Sequence, residues 1–168
     1  TIKEVEKFYD KYRFDQIAQV MYDFIWGEFC DWYIELIKDR LYNGTDKEKK
    51  DTLRLAIYVL KNILKLLHPF TPFITEEIWQ KVKTEDEPDI IVSEWPKVNE
   101  THIKADIEDD FDLLQEIVQS IRAARGEMNI PPEKDIELIV NDNEEPAAEL
   151  IKDKKIEKYI KELADVEE

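Results

Sequence analysis

The chain has 168 residues, 43% hydrophobic, 11% aromatic and 38% charged, with a formal net charge of −16. Three glycines beside so many charged side chains argue for helices and against a β-sandwich, and the single cysteine, Cys30, excludes an internal disulfide and any multi-cysteine metal site. No signal peptide and no apolar run of bilayer length is present, so a cytoplasmic location is expected, and a start at Thr1 inside a helical pattern reads as a piece of a longer protein.

Residues 1–13 read as a helix, with Ile2, Val5, Tyr9 and Tyr12 at steps of three and four. Residues 15–42 read as the most apolar helix. Its stripe is Ile17, Met21, Ile25, Phe29, Trp32 and Leu36, and Tyr22, Phe24, Trp26 and Tyr33 widen it, as in a helix buried against several neighbours. Asp31 in that setting needs a partner if buried, either an internal hydrogen bond or a nucleobase edge. Asn43-Gly44 stops this helix, and Thr45 or Asp46 can cap the next over 47–67. There Leu53, Ile57, Leu60, Leu64 and Leu67 form the apolar stripe, while Arg54, Tyr58, Lys61 and Lys65 fall on another face. Lys61 and Lys65, one turn apart, repel each other unless an anion sits nearby.

Pro69 ends this helix, because the residue before a proline disfavours the α region. Thr71 is placed to cap the next helix, about 72–83, by accepting backbone N–H bonds, with Pro72 at its first position. His68 stands where an imidazole can bond the free carbonyls. Short connections make residues 1–83 an antiparallel, up-and-down bundle. Residues 84–106 form an acidic linker, in which Ile90-Ile91-Val92 is too short for a lone strand and Trp95 marks a docking contact. A long helix follows, with Asp106 as its N-cap, Phe111, Leu114, Val118, Ile121 and Met128 as its core stripe, and Asn129 and Pro131-Pro132 at its end. Alternation of Ile136, Leu138 and Val140 reads as a strand over 135–140, and Pro146 opens further helix to Leu163, with a break near Asp153. The fold class is therefore mainly α: a helix bundle over 1–83, the linker over 84–106, and over 107–168 a long helix with the start of a small, truncated α/β unit.

The charge is uneven. Residues 38–65 hold eight cations against four acids, inside a chain whose net charge is −16. Such a positive island can meet phosphates, or it can be an ordinary solvated helix face. No reaction centre is visible: Cys30 lies in an aromatic helix, His68 and His102 have no fixed nucleophile partner, and three scattered glycines cannot cradle a phosphate.

Three segments together resemble a known family. Leu66-Leu67-His68-Pro69-Phe70-Thr71-Pro72-Phe73-Ile74-Thr75-Glu76-Glu77-Ile78-Trp79 is similar to the anticodon-binding region of class I aminoacyl-tRNA synthetases of the valyl, isoleucyl and leucyl group. Residues 26–36, from Trp26 to Leu36, and residues 121–132, from Ile121 to Pro132, resemble the valyl type, while 37–42 is closer to the isoleucyl version. The resemblance implies an anticodon-binding helix bundle whose partners are the tRNA(Val) anticodon arm and an upstream catalytic domain. The parent enzyme would join valine to tRNA with ATP. The his-ile-gly-his and lys-met-ser-lys-ser types of motif are absent, so this stretch is expected to carry no catalytic residue, cofactor or metal. RNA loops are read by aromatic stacking and by bonds to base edges, with cations steering the backbone. The expected tRNA-binding residues are Lys38, Arg40, Arg54, Lys61 and Lys65, with Arg13 weaker. Arg122 and Arg125 would touch the tRNA or pair with the acidic linker. The rivals are an isoleucyl fragment and a helical scaffold whose acidic surface binds a basic protein.

Overall fold

The longest uninterrupted helical path runs from Phe14 to Tyr42. It comprises α2 (Phe14–Tyr22), a π-helical section (Asp23–Tyr33) and α3 (Ile34–Tyr42). The π winding carries hydrogen bonds five residues back, as from the Ile34 N–H to the Phe29 carbonyl, and moves the apolar stripe by one position. Ile17, Met21 and Trp32 are buried as the periodicity predicts, but beyond the section Ile37 takes the buried place expected for Leu36. Asp31 is exposed and needs no internal partner.

The computed structural model describes residues 1–131, 134, 136, 150–164 and 166. By its internal contacts the chain divides into Thr1–Asn99 and Glu100–Glu168. In the first unit, α1 (Ile2–Tyr9), α2, α3, α4 (Asp46–Leu67) and α5 (Pro72–Val82) form the mainly α bundle expected from the sequence. One core joins Val5 of α1, Ile17 and Met21 of α2, and Ile63 and Leu66 of α4. A second joins Leu64 of α4, Trp79 of α5 and Ile90 of a single 3-10 turn, Ile90–Val92. No helix among the described residues is long and apolar enough to cross a membrane.

The helix ends are set locally. α1 stops at Tyr9, not at residue 13, because Tyr12 adopts a left-handed φ of 54°. The Arg13 N–H reaches the Phe8 carbonyl at 3.0 Å and the Tyr12 N–H reaches Tyr9 at 3.0 Å, the pair of bonds that closes a Schellman end. Asn129, φ 53°, ends the long helix of the second unit in the same way, with Ile130 N–H on Arg125 at 2.9 Å and Asn129 N–H on Gly126 at 3.1 Å. Asparagine tolerates that region, whereas a tyrosine's Cβ opposes it. Tyr12→Gly is therefore expected to raise stability by about 1 kcal/mol, since Tyr12 is exposed and little packing is lost; a thermal melt reads it as an increase in Tm.

α4 begins with a full capping box. The Glu48 N–H donates to the Thr45 hydroxyl at 3.3 Å, and the Thr45 N–H returns a bond to the Glu48 carboxylate at 2.8 Å. Gly44 precedes it because a Cβ there would lie 2.3 Å from the Arg40 carbonyl oxygen. At the other end Pro72 does stand at the start of α5, but Thr71 caps no N–H: its hydroxyl bonds the Leu67 carbonyl at 3.3 Å. His68 does not bond free carbonyls either. Its Nδ1 lies 2.8 Å from the hydroxyl of buried Thr75, which also lies 2.8 Å from the Thr71 carbonyl. A hydroxyl has one proton to give, so both contacts are satisfied when Nδ1–H donates to Thr75 and Thr75 donates to Thr71.

In the second unit, α6 (Ala105–Glu127) buries Leu114, Val118 and Ile121, and α7 (Lys154–Ala164) buries Ile160, Leu163 and Ala164. α6 starts one residue before the expected cap, with Lys104 at the N-cap, so Asp106 lies in the first turn, where its charge suits the positive helix end. Met128, counted with the core stripe in sequence, is exposed just past the helix. The break near Asp153 is real: its carboxylate caps α7 by accepting the Lys155 N–H at 2.7 Å. The strand expected over 135–140, Ile136 apart, and the helix start at Pro146 lie outside the described residues, and no strand is found among those described.

Candidate nucleic-acid interface

α4 carries Lys47, Lys50, Arg54, Tyr58, Lys61 and Lys65 at steps of three and four. At 3.6 residues per turn these six fall within about 80° of arc, in a row about 27 Å long. The row lies roughly a quarter turn from Leu60 and Leu64, which face α5. Val59 and Ile63, which face α1 and α2, lie farther round the helix, Ile63 almost opposite the row. α5 is 11 residues against 22 in α4, so it covers about half of its neighbour's length. This is why Leu53, expected in the core stripe, is 50% exposed.

The two halves of the row differ. Arg54 is open, its side chain 69% exposed, with a loose 3.7 Å ion pair to Asp51. Lys61 is 15% exposed and bonds the Glu87 carboxylate at 2.5 Å. The anion required beside the Lys61–Lys65 pair thus comes from the chain's own acidic segment. Both ammonium groups also lie over the Trp79 ring, 5.6 and 5.4 Å from its centre. The Trp79 indole N–H donates to the Pro88 carbonyl at 2.9 Å, and Lys83 and Gln80 hold Asp89 at 2.9 and 2.7 Å. Residues 87–89 are clamped to α4 and α5, not left as a solvated linker.

Glu87 titrates below the usual carboxylate range, first because Lys61 hydrogen-bonds it, then because the Thr84 N–H does. A depressed folded-state value means that the clamp's stabilisation is complete above the unfolded carboxylate pKa, about 4.3, and is lost as pH falls through the folded value. In Lys61→Met the Glu87 carboxyl resonance is expected to titrate closer to its ordinary position; an unchanged midpoint by NMR would show that Lys61 is not the main cause.

The other cations named from sequence are distributed elsewhere. Lys38 is on α3 and bonds Glu35 at 2.5 Å. Arg40, also on α3, adds to the depression of the Glu48 carboxyl, whose main cause is the Thr45 N–H. Arg13 grips Asp15 through two bonds of 3.0 and 2.9 Å, and this keeps the Asp15 carboxyl far below its usual range. Arg122 and Arg125 donate to backbone carbonyls of their own unit: Arg122 to Leu163 at 2.9 and 2.6 Å, and 6% exposed Arg125 to Pro131 and Lys134 at 2.9 and 2.8 Å. Only the fold brings these carbonyls within reach of the two guanidinium groups.

Tyr58 and Tyr42 were not singled out as base-stacking side chains, yet they are 53% and 74% exposed. Tyr58 stands in the middle of the basic row, and its i±3 and i±4 spacing to Arg54 and Lys61 was the available signal. Among the described residues no group of three His, Cys, Asp or Glu is placed to hold a metal ion.

A model of the anticodon-binding domain of tRNA ligases matches residues 1–140, and the chain belongs to that family. Among curated proteins it is similar to valine–tRNA ligases. It is 42% identical over 172 residues to that of Legionella pneumophila (strain Lens), covering 99% of the chain, and 42% identical over 145 residues to that of Geobacillus kaustophilus (strain HTA426), covering 86%. To that of Bacillus subtilis (strain 168) it is 43% identical over 140 residues, covering 83%. The matched stretch is 18%, 16% and 16% of those relatives, so the chain spans less than a fifth of their length. These matches favour the valyl reading over the isoleucyl one.

Proposed function

We propose that the chain grips the anticodon arm of tRNA(Val) through the basic row of α4 and presents that tRNA to a catalytic domain elsewhere in a longer valine–tRNA ligase. The observation that carries this reading is the alignment of five cations and an exposed tyrosine on one side of a single helix, in a chain of the anticodon-binding family. Arg54, Lys61 and Lys65 contact the phosphate backbone or base edges, Tyr58 offers a face to an unstacked base, and Lys38 and Arg40 add contacts from α3. Lys61 reaches RNA only by sharing itself with Glu87, so the open half of the row around Arg54 makes the first contact. Joining valine to tRNA with ATP is assigned to the parent polypeptide in the cytoplasm, and no metal is assigned to this domain.

Binding of tRNA(Val) and of an unrelated tRNA should be measured against salt. The expected result is tighter binding of tRNA(Val), with affinity falling linearly in log–log form as salt rises. Equal affinity for both would remove anticodon specificity from this surface, and salt-independent binding would remove the basic row.

A further inference from the structure

A cleft on another side of the first unit is not used by the basic row. Glu6, Tyr9 and Asp10 share one face of α1 at positions i, i+3 and i+4. Pro69 enters from the α4–α5 corner and Trp95 from the segment after α5, and these five residues line a cavity of about 390 Å³. Its aromatic wall is held from behind. Tyr9 meets Trp95 edge-on at 5.5 Å and is packed by Phe14 and Phe70 at 6.1 and 6.2 Å. The Tyr9 hydroxyl is shielded from water and has no hydrogen-bond partner among the described residues.

Two carboxylates one helical turn apart stand beside this wall. Neither Glu6 nor Asp10 has an ion pair or side-chain hydrogen bond among the described residues. Lys7, the neighbour of Glu6 in sequence, lies over Phe8 at 5.8 Å. Like charges at i and i+4 work against α1 unless a cation joins them. Aromatic rings with two open carboxylates at the rim, around a volume that holds one side chain, are complementary to a flat organic cation.

We propose that this cleft receives an arginine side chain from a partner protein segment. The guanidinium plane stacks on the ring of Tyr9 or Trp95, and its edge donates to Glu6 and Asp10. Lysine fits less well, because an ammonium has no face to stack and no fork to span two carboxylates. RNA is excluded, since its phosphates would meet two carboxylates. The inference does not depend on the tRNA reading of α4.

The test uses the 168-residue chain and three capped tripeptides, glycine–X–glycine, with X arginine, lysine or citrulline, the last a neutral isostere of arginine. The readout is the Trp95 indole N–H resonance. A saturable shift with the arginine peptide is expected, with the citrulline peptide at least about 5-fold weaker and the lysine peptide between them. In the exposed double variant Glu6→Gln/Asp10→Asn, the arginine peptide should fall to the citrulline level while Tm stays the same or rises. Equal response to arginine and citrulline, no response to either, or undiminished arginine binding in the double variant overturns the proposal. So does a stronger response to spermidine than to the arginine peptide, which would assign the cleft to polyamines.

Discussion

Replacing Trp79 with alanine is expected to destabilise the first unit by about 3–5 kcal/mol, much of the 5–15 kcal/mol that typically holds a domain folded. Trp79 is 1% exposed and central to the core formed with Leu64 and Ile90. Its removal opens a cavity that a helix pinned by a proline corner cannot readily collapse, deprives the Pro88 carbonyl of its donor, and takes the ring from beneath Lys61 and Lys65. Urea denaturation should show a lower midpoint with little change in slope. Trp79→Phe separates the contributions: it keeps an aromatic floor but loses the N–H, isolating the Pro88 bond at about 1 kcal/mol beyond the smaller ring's packing loss. A loss below about 1 kcal/mol for Trp79→Ala would mean that the second core is not what holds α5 to α4.

Reversing charge in the open half of the basic row, Lys50→Glu with Arg54→Glu, is expected to weaken tRNA binding by roughly 10–100-fold and to lower the salt slope by about 2, one for each phosphate contact removed. Both residues are exposed on α4, so stability should move by no more than about 0.5 kcal/mol. Unchanged affinity with intact folding would move the RNA surface elsewhere. Lys61→Glu is a less clean probe. It would face Glu87 with a second carboxylate and release residues 87–89, so its loss of binding would mix contact with structure.

Much of the bundle was legible because its signals are local. Thr45 and Glu48 at the right spacing make a capping box wherever they occur before a helix. The Pro69–Pro72 pair enforces a corner by fixing backbone angles, and i, i+4 repeats bury Ile17 and Met21. What was misread depended on neighbours. Leu53 looks like a core residue by period alone, but whether the core reaches it depends on where α5 ends. Tyr12 breaks the expected helix against its own preference, and no local rule anticipates that.

The chain's order of residues by itself determined that the bundle is helical, where α4 turns into α5, and the row of cations on one side of α4, because periodicity and backbone restriction act over three or four neighbours. Tertiary structure alone decided which of those cations are open. Glu87 is 26 residues from Lys61 in sequence yet bonds it, and Leu163 is 41 residues from Arg122 yet accepts its guanidinium. A charge is commonly neutralised by whichever partner the fold brings within about 4 Å, and that distance is a property of packing, not of spacing along the chain.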